Sequence, residues 1–381
     1  MPIGEAATAN IMRIVHVVRQ FPPSVGGIEE VVAQLAAAQA AAGHTVGVVT
    51  LDRVFAEPAR VLPAHDTMGA VRITRIPYRG SSRYPLAPQA LAHVRDADLV
   101  HVHAIDFFFD FLAAAAPLHR RPLVATTHGG FFHTPAHARL KRWWFSAITR
   151  RAARAYGALI ACSQADEDLF RPLGHRRLRL IENGVDIAKF ADRGAQTPHK
   201  RAIAIGRFSV NKRLDRVLDA TAALVARDGD WRVTIAGAES DWTAARLHSE
   251  IAARGLDSIV TAIVRPTNAA LAEAIGTASV FLSASDHEGF GVSLIEAMSA
   301  GLAPVVAGNA AFRAFSKRHA DVALADYADP AAAAAVICAR HAQVCADALL
   351  RARLMAAAAG YAWPDVARRT LALYEDVMRA E

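Results

Sequence analysis

Cysteine is scarce: Cys162, Cys338 and Cys345 are an odd, widely spaced set in 381 residues. That excludes a disulfide framework, and no histidine or cysteine spacing suits a structural zinc site. No apolar run approaches the ~18 residues of a membrane-spanning helix. The opening MPIGEAATAN has neither the charged start nor the apolar stretch of a secretory signal, and Met12 could serve as initiator. The sequence therefore predicts a cytoplasmic protein. There is no GxGxxG fingerprint, which weakens a dinucleotide reading. Short repeats and low-complexity tracts are missing too, apart from alanine-rich helices such as residues 331–335. What remains is ordinary globular chemistry, 53% hydrophobic and 21% charged, in a chain too long for one typical core. A formal charge of +7 asks for an anionic partner: nucleic acid, membrane surface or phosphorylated substrate.

Strand-like runs alternate with helical stretches almost throughout. MRIVHVV (residues 12–18), TVGVVTL (45–51), VRITRIP (71–77), ADLVHVHA (97–104), PLVATTHG (122–129) and ALIACS (158–163) form one series. A polar stretch, DRGAQTPHK (192–200), precedes a second: RAIAIGR (201–207), WRVTIAG (231–237), SIVTAIV (258–264), ASVFLSA (278–284) and LAPVVAG (302–308). The pattern predicts an α/β protein of two doubly wound parallel domains, residues 1–190 and 191–362. A last helix, 363–381, would pack back on the first domain. Ligands of such sheets bind at the carboxyl ends of the strands.

The candidate motifs sit there. SDHEGFGVSLIEAMSAG (285–301) reads as a glycine turn between a strand and a helix, with Glu288 before the turn and Glu296 inside the helix. The helix start at Phe290, Gly291 and Val292 offers unpaired N–H groups, which suit a phosphate. About 12 Å of helix would separate the two carboxylates, too far for one acid/base event. Two acceptors, each holding hydroxyls at one end of a sugar nucleotide, fit better. The alternative is that Glu288 caps the helix and Glu296 is a solvated residue on its face. Gly26 and Gly27, after the first strand, either bring backbone close to a ligand or make a plain turn. GRFSVNKRLD (206–215) places Arg207 and Lys212 where they would neutralise a diphosphate, or leaves them as surface charges. His128 and His133 reach one sheet edge in THGGFFHT (127–134) without a third metal ligand. His101 and His103 share one face of a strand and read as buried, hydrogen-bonded side chains in preference to catalytic ones.

Taken in order, the glycine pair, THGG, ENGVD (182–186), GRFSVNK and EGFGVSLIEAMSAG resemble the retaining GT-B glycosyltransferases of family 4. VVRQFPPSVGGIEEVV, LDRVF, YRGSSRYPLAP and IDFFFD are similar to the α-mannosyltransferases of that family that extend lipid-linked cellobiose in xanthan- and acetan-type polysaccharides. The resemblance implies two Rossmann-like domains facing a central cleft, GDP-mannose as donor and cellobiosyl-diphospho-polyprenol as acceptor. It implies no cofactor and no metal, the cations being Arg207 and Lys212. Glu288 would hold the donor sugar, Glu296 the ribose, and Phe290, Gly291 and Val292 the distal phosphate. Gly26 and Gly27 would close over the phosphates, and His128 would stand beside the anomeric centre. Arg83, Tyr84, Asp106 and His133 would face the acceptor. Ala238 and Glu239 replace a second glycine-rich loop found in many members.

The polyprenyl acceptor that the resemblance implies would keep the enzyme at the inner face of the membrane. HARLKRWWFSAITRRAARAY (137–156), with Lys141, Arg142, Trp143 and Trp144, has the make-up of an interfacial helix on anionic lipid, or else is a surface helix whose aromatics pack inward. Competing readings are a family-4 enzyme with another donor such as UDP-glucose, a UDP-sugar epimerase of the same architecture, and a nucleic-acid-binding module. The scatter of basic residues over both halves speaks against the last.

Overall fold

Apolar runs such as Leu99–His103, all five residues buried, form strands covered on both faces, as parallel sheets require. The computed structural model describes residues 11–82, 84–129 and 145–380. They divide into two units, one running to Gly184 and resuming at Trp363, the other Val185–Ala362.

The first unit holds an eight-stranded sheet in the order Leu178–Leu180, Ala158–Ala161, Leu123–Thr126, Leu99–His103, Arg13–Val17, Thr45–Leu51, Val71–Ile76, His65–Met68. All neighbours are parallel except the last pair, an antiparallel hairpin at the edge. In the expected acceptor segment Arg79–Ser81 pairs antiparallel with Tyr84–Leu86. The helix Trp363–Met378 returns to this unit: Val366, Leu371, Tyr374 and Val377 pack with Met12, Ile14, Leu99 and Val124.

In the second unit six parallel strands run Val260–Val264, Arg232–Gly237, Arg201–Ile205, Val280–Ser283, Ala303–Ala307, Ala323–Ala325. Apolar clusters cover both faces. The sequence placed the boundary at residue 190; in the structure it falls six residues earlier. Val185 N–H already bonds to Tyr361 C=O at 2.8 Å, and Phe190 is wholly buried in the core of the second unit.

Candidate active site

In the second unit three loops meet at the carboxyl ends of adjacent strands. Gly206 follows Arg201–Ile205 at φ 155°, and a Cβ there would lie 3.0 Å from Lys212 Cε. A Cβ on Gly237, ending the neighbouring strand, would lie 1.8 Å from Gly206 O. The two glycines let these loops cross, and the stem of Lys212 runs over the crossing. Its ammonium then meets Glu288 Oε1 at 2.6 Å, with both side chains mostly buried. Arg207 is exposed and makes no ion pair among the described residues.

Asn211 fixes the approach to Glu288. Its side chain donates to His287 C=O at 2.7 Å and accepts from His287 N–H at 3.0 Å, while its own C=O accepts from Asp286 N–H. Asp286 is also paired with Arg213 at 3.2 Å and Arg216 at 3.0 Å. The helix Val292–Ser299 then starts at Gly291, φ 93°, a left-handed conformation that costs a side-chain-bearing residue about 1–2 kcal/mol. Among the described residues no side chain caps this helix and no acidic residue lies in its first turn, so its positive dipole end is left unneutralised there. Glu288 is therefore not a cap. Nor is Glu296 a solvated residue: its side chain is 14% exposed, with Lys189 Nζ at 3.4 Å. Burial raises the Glu296 pKa, and Lys189 opposes that rise. Glu239, in the departure from the family pattern, accepts from Ala244 N–H at 2.7 Å and pairs with Arg265 at 3.0 Å.

The helix Gly27–Ala41, with Gly26 just before it, is built differently. Glu29 and Glu30 occupy its first turn, and a Cβ on Gly26 would lie 2.2 Å from Glu29 Oε2. That helix end carries its own carboxylate, so a phosphate at Gly26 and Gly27 requires Glu29 to turn away.

His128 stands on a tight bend, φ 48° for itself and 80° for Gly129. The bend is held by Asp166, which is buried and accepts from Thr127 Oγ1, from Gly129 N–H at 3.0 Å and from Cys162 N–H at 3.0 Å. Behind it His16, His101 and His103 are fully buried. Their nitrogens lie within 4.8 Å of one another, a spacing metal ligands share. Every ring nitrogen of the three already has a hydrogen-bond partner among the described residues, so the set is a continuous polar chain. Burial pulls the His16 and His128 pKa values down to about 4 and those of His101 and His103 well below normal. All four imidazoles are neutral near pH 7.

Residues 25–189 match the family described as Glycosyltransferase Family 4, and residues 186–339 that of Glycosyl transferases group 1. An enzyme of Xanthomonas campestris named GDP-mannose:cellobiosyl-diphosphopolyprenol alpha-mannosyltransferase is 49% identical over 77% of this chain and 78% of its own. One of the same name from Komagataeibacter xylinus is 42% identical over 96% and 94%. The chain is a glycosyltransferase of family 4. Among solved structures, a glycosyltransferase from Rickettsia africae superposes over 98% of this chain and 100% of its own, with TM-score 0.72 at 16% identity. Anabaena Alr3699/HepE in complex with UDP covers 96% and 100%, with TM-score 0.69 at 18% identity. The fold is GT-B.

Of the family-4 residues expected from sequence, Lys212 and Glu288 are joined directly. Gly291 and Val292 begin the uncapped helix, with the Phe290 ring packed 5.8 Å from that of Tyr361. Asp106 and Tyr84 are committed elsewhere. Asp106 caps the helix Phe107–Ala114 and pairs with Arg19 at 2.9 Å, and Tyr84 OH donates to Asp110 at 2.9 Å. An acceptor sugar would compete with both arrangements. Arg83, His133, Lys141, Arg142, Trp143 and Trp144 lie outside the described residues. Asn211 and Asp166 were missed. Asn211 stood inside a quoted motif, between the two cations, and Asp166 follows a strand in SQADED, the pattern of a capped helix start.

Proposed function

We propose that this glycosyltransferase moves mannose from GDP-mannose to cellobiosyl-diphospho-polyprenol with retention of anomeric configuration. The observation that carries the reading is 49% identity, over 77% of the chain, to an enzyme with that name.

The geometry of the second unit supports a task for each residue. A donor diphosphate at the start of the helix Val292–Ser299 would take up its uncapped N–H groups and compete for Lys212. Lys212 then passes from Glu288 to phosphate, and the freed carboxylate accepts sugar hydroxyls. Arg207 adds a second positive charge for the leaving diphosphate. Electrostatic stabilisation of that group is the largest contribution to rate, and the reading needs no metal ion. Glu296, with Lys189 Nζ at 3.4 Å, accepts from the ribose hydroxyls. In the first unit a neutral His128 can stand near a developing oxocarbenium ion without like-charge repulsion. The leaving phosphate takes the acceptor proton on the same face. A polyprenyl acceptor also implies work at a membrane surface; among the described residues no single helix is long and apolar enough to cross one.

The test is transfer from a panel of labelled nucleotide sugars to cellobiosyl-diphospho-polyprenol in vesicles and to a short-chain soluble analogue. Mannosyl product from GDP-mannose alone, formed faster on the vesicle acceptor, is expected. Faster transfer from UDP-glucose, or no product on either acceptor, overturns the reading.

A further inference from the structure

Gln39, on the helix Gly27–Ala41, is wholly buried, and its side-chain amide meets partners far from it in sequence. Its Oε1 lies 2.7 Å from His16 Nε2, and its Nε2 lies 3.2 Å from Tyr374 Oη. His16 Nδ1 lies 2.9 Å from His103 Nε2, and His103 Nδ1 lies 3.1 Å from His128 Nε2. A side branch runs from Tyr374 Oη to His101 Nδ1 at 2.5 Å and from His101 Nε2 to Thr126 Oγ1 at 2.8 Å.

The chain has a direction. An amide oxygen can only accept, so His16 carries its proton on Nε2. A neutral imidazole has one N–H, so His16 Nδ1 accepts from His103 Nε2–H. His103 Nδ1 accepts in turn from His128 Nε2–H. The lone pair of His128 is left on Nδ1, which has no partner among the described residues. The branch agrees: Gln39 donates to Tyr374, whose hydroxyl donates to His101 Nδ1, and His101 Nε2–H faces Thr126. Turning the amide over would reverse every bond and put the proton of His128 on Nδ1. His16, His101 and His103 are fully buried, and each link between the rings is a direct nitrogen-to-nitrogen contact.

We infer that Gln39 is a positioning residue for catalysis: through His16 and His103 it selects the tautomer of His128, so that an unprotonated Nδ1 is what the substrate meets. The inference rests on the reading of His128 as a group beside the reacting centre. It goes beyond that reading by naming the atom His128 presents and the buried amide that chooses it. It also assigns work to two histidines that the transfer reaction itself does not touch.

The experiment is histidine nitrogen NMR on the full-length protein, with His128 assigned by the disappearance of its signals in His128→Gln. The wild type should show His128 protonated at Nε2 alone. Gln39→Met, close in volume and unable to accept, should give a mixture of tautomers. It should lower kcat by about ten- to hundredfold, the loss seen when the partner orienting a metal-bound histidine is removed. KM for GDP-mannose should not change. Gln39→Glu keeps an acceptor toward His16 and should restore the single tautomer. Wild-type protonation at Nδ1, an unchanged tautomer in Gln39→Met, or a mixture with undiminished kcat each overturns the inference. The wild-type spectrum decides even if Gln39→Met does not fold. Full activity in His128→Ala would instead sink the reading of His128 and leave the tautomer assignment standing.

Discussion

The buried imidazoles should make the first unit acid-sensitive in a particular window. His16 and His128 have their pKa values lowered by burial from 6.5 to about 4. The unfolded chain therefore binds more protons than the folded one between about pH 4 and 6.5, and acid in that window favours unfolding. At about 1.4 kcal/mol per pH unit, one such histidine loses about 3 kcal/mol of stabilising free energy across it. Asp106 acts the other way: burial lifts its pKa from 3.8 to about 6, with Arg19 opposing. The folded state then takes up the Asp106 proton first and gains about 3 kcal/mol as pH falls. One histidine and one aspartate nearly cancel. Two histidines leave a net loss of roughly 3–4 kcal/mol, a third or more of a typical domain's stability. His101 and His103, shifted in the same direction, add to it. Urea unfolding near pH 7 and near pH 4.5, read by hydrogen exchange in each unit separately, measures this. The first unit should lose midpoint steeply, and Asp106→Asn should steepen the loss. A midpoint that holds between those conditions, or an equal slope in His16→Gln, refutes the reasoning.

Gly291→Ala should cost about 1–2 kcal/mol for its left-handed backbone, and its Cβ would press on Phe312 Cε1 at 3.1 Å. Calorimetry should show weaker GDP-mannose binding together with a lower urea midpoint, and unchanged affinity would separate the helix start from the donor. Lys212→Met leaves the Glu288 carboxylate unpaired and should destabilise by roughly 1–3 kcal/mol. Adding Glu288→Gln should recover stability but not turnover; a double variant as unstable as Lys212→Met would deny the direct pairing. Activity should survive EDTA, and loss reversed by added Mg²⁺ or Mn²⁺ would overturn the metal-free mechanism.

The sheets were legible because parallel strands need apolar side chains on both faces, and runs such as LVHVH and VFLS announce that burial. The turn at Gly291 was legible for a similar reason, since a left-handed residue before a helix points to glycine. Long-range polar pairing was not. Gln39 meets Tyr374 across 335 positions and His16 meets His103 across 87. Nothing local in LAAAQAA distinguishes a buried relay member from a surface glutamine. Asp106 shows the converse. Its place before FFFDF fits a helix cap, and the acceptor role came only from resemblance. Glu288 and Glu296 looked like either ligands or surface residues until Lys212 and Lys189 were found against them, because burial of a charge is decided by what the fold brings opposite.

The helix Trp363–Met378 completes one apolar cluster of the first unit, yet it leaves the ribosome only after all of Val185–Ala362 has been made. The nascent first unit must wait with Met12, Ile14, Leu99 and Val124 uncovered while the second, uninterrupted in sequence, can close on its own. Synthesis order and assembly order are thus reversed. The growing chain is exposed to aggregation and chaperone capture on one known apolar face, and truncation before Trp363 fixes it in that state.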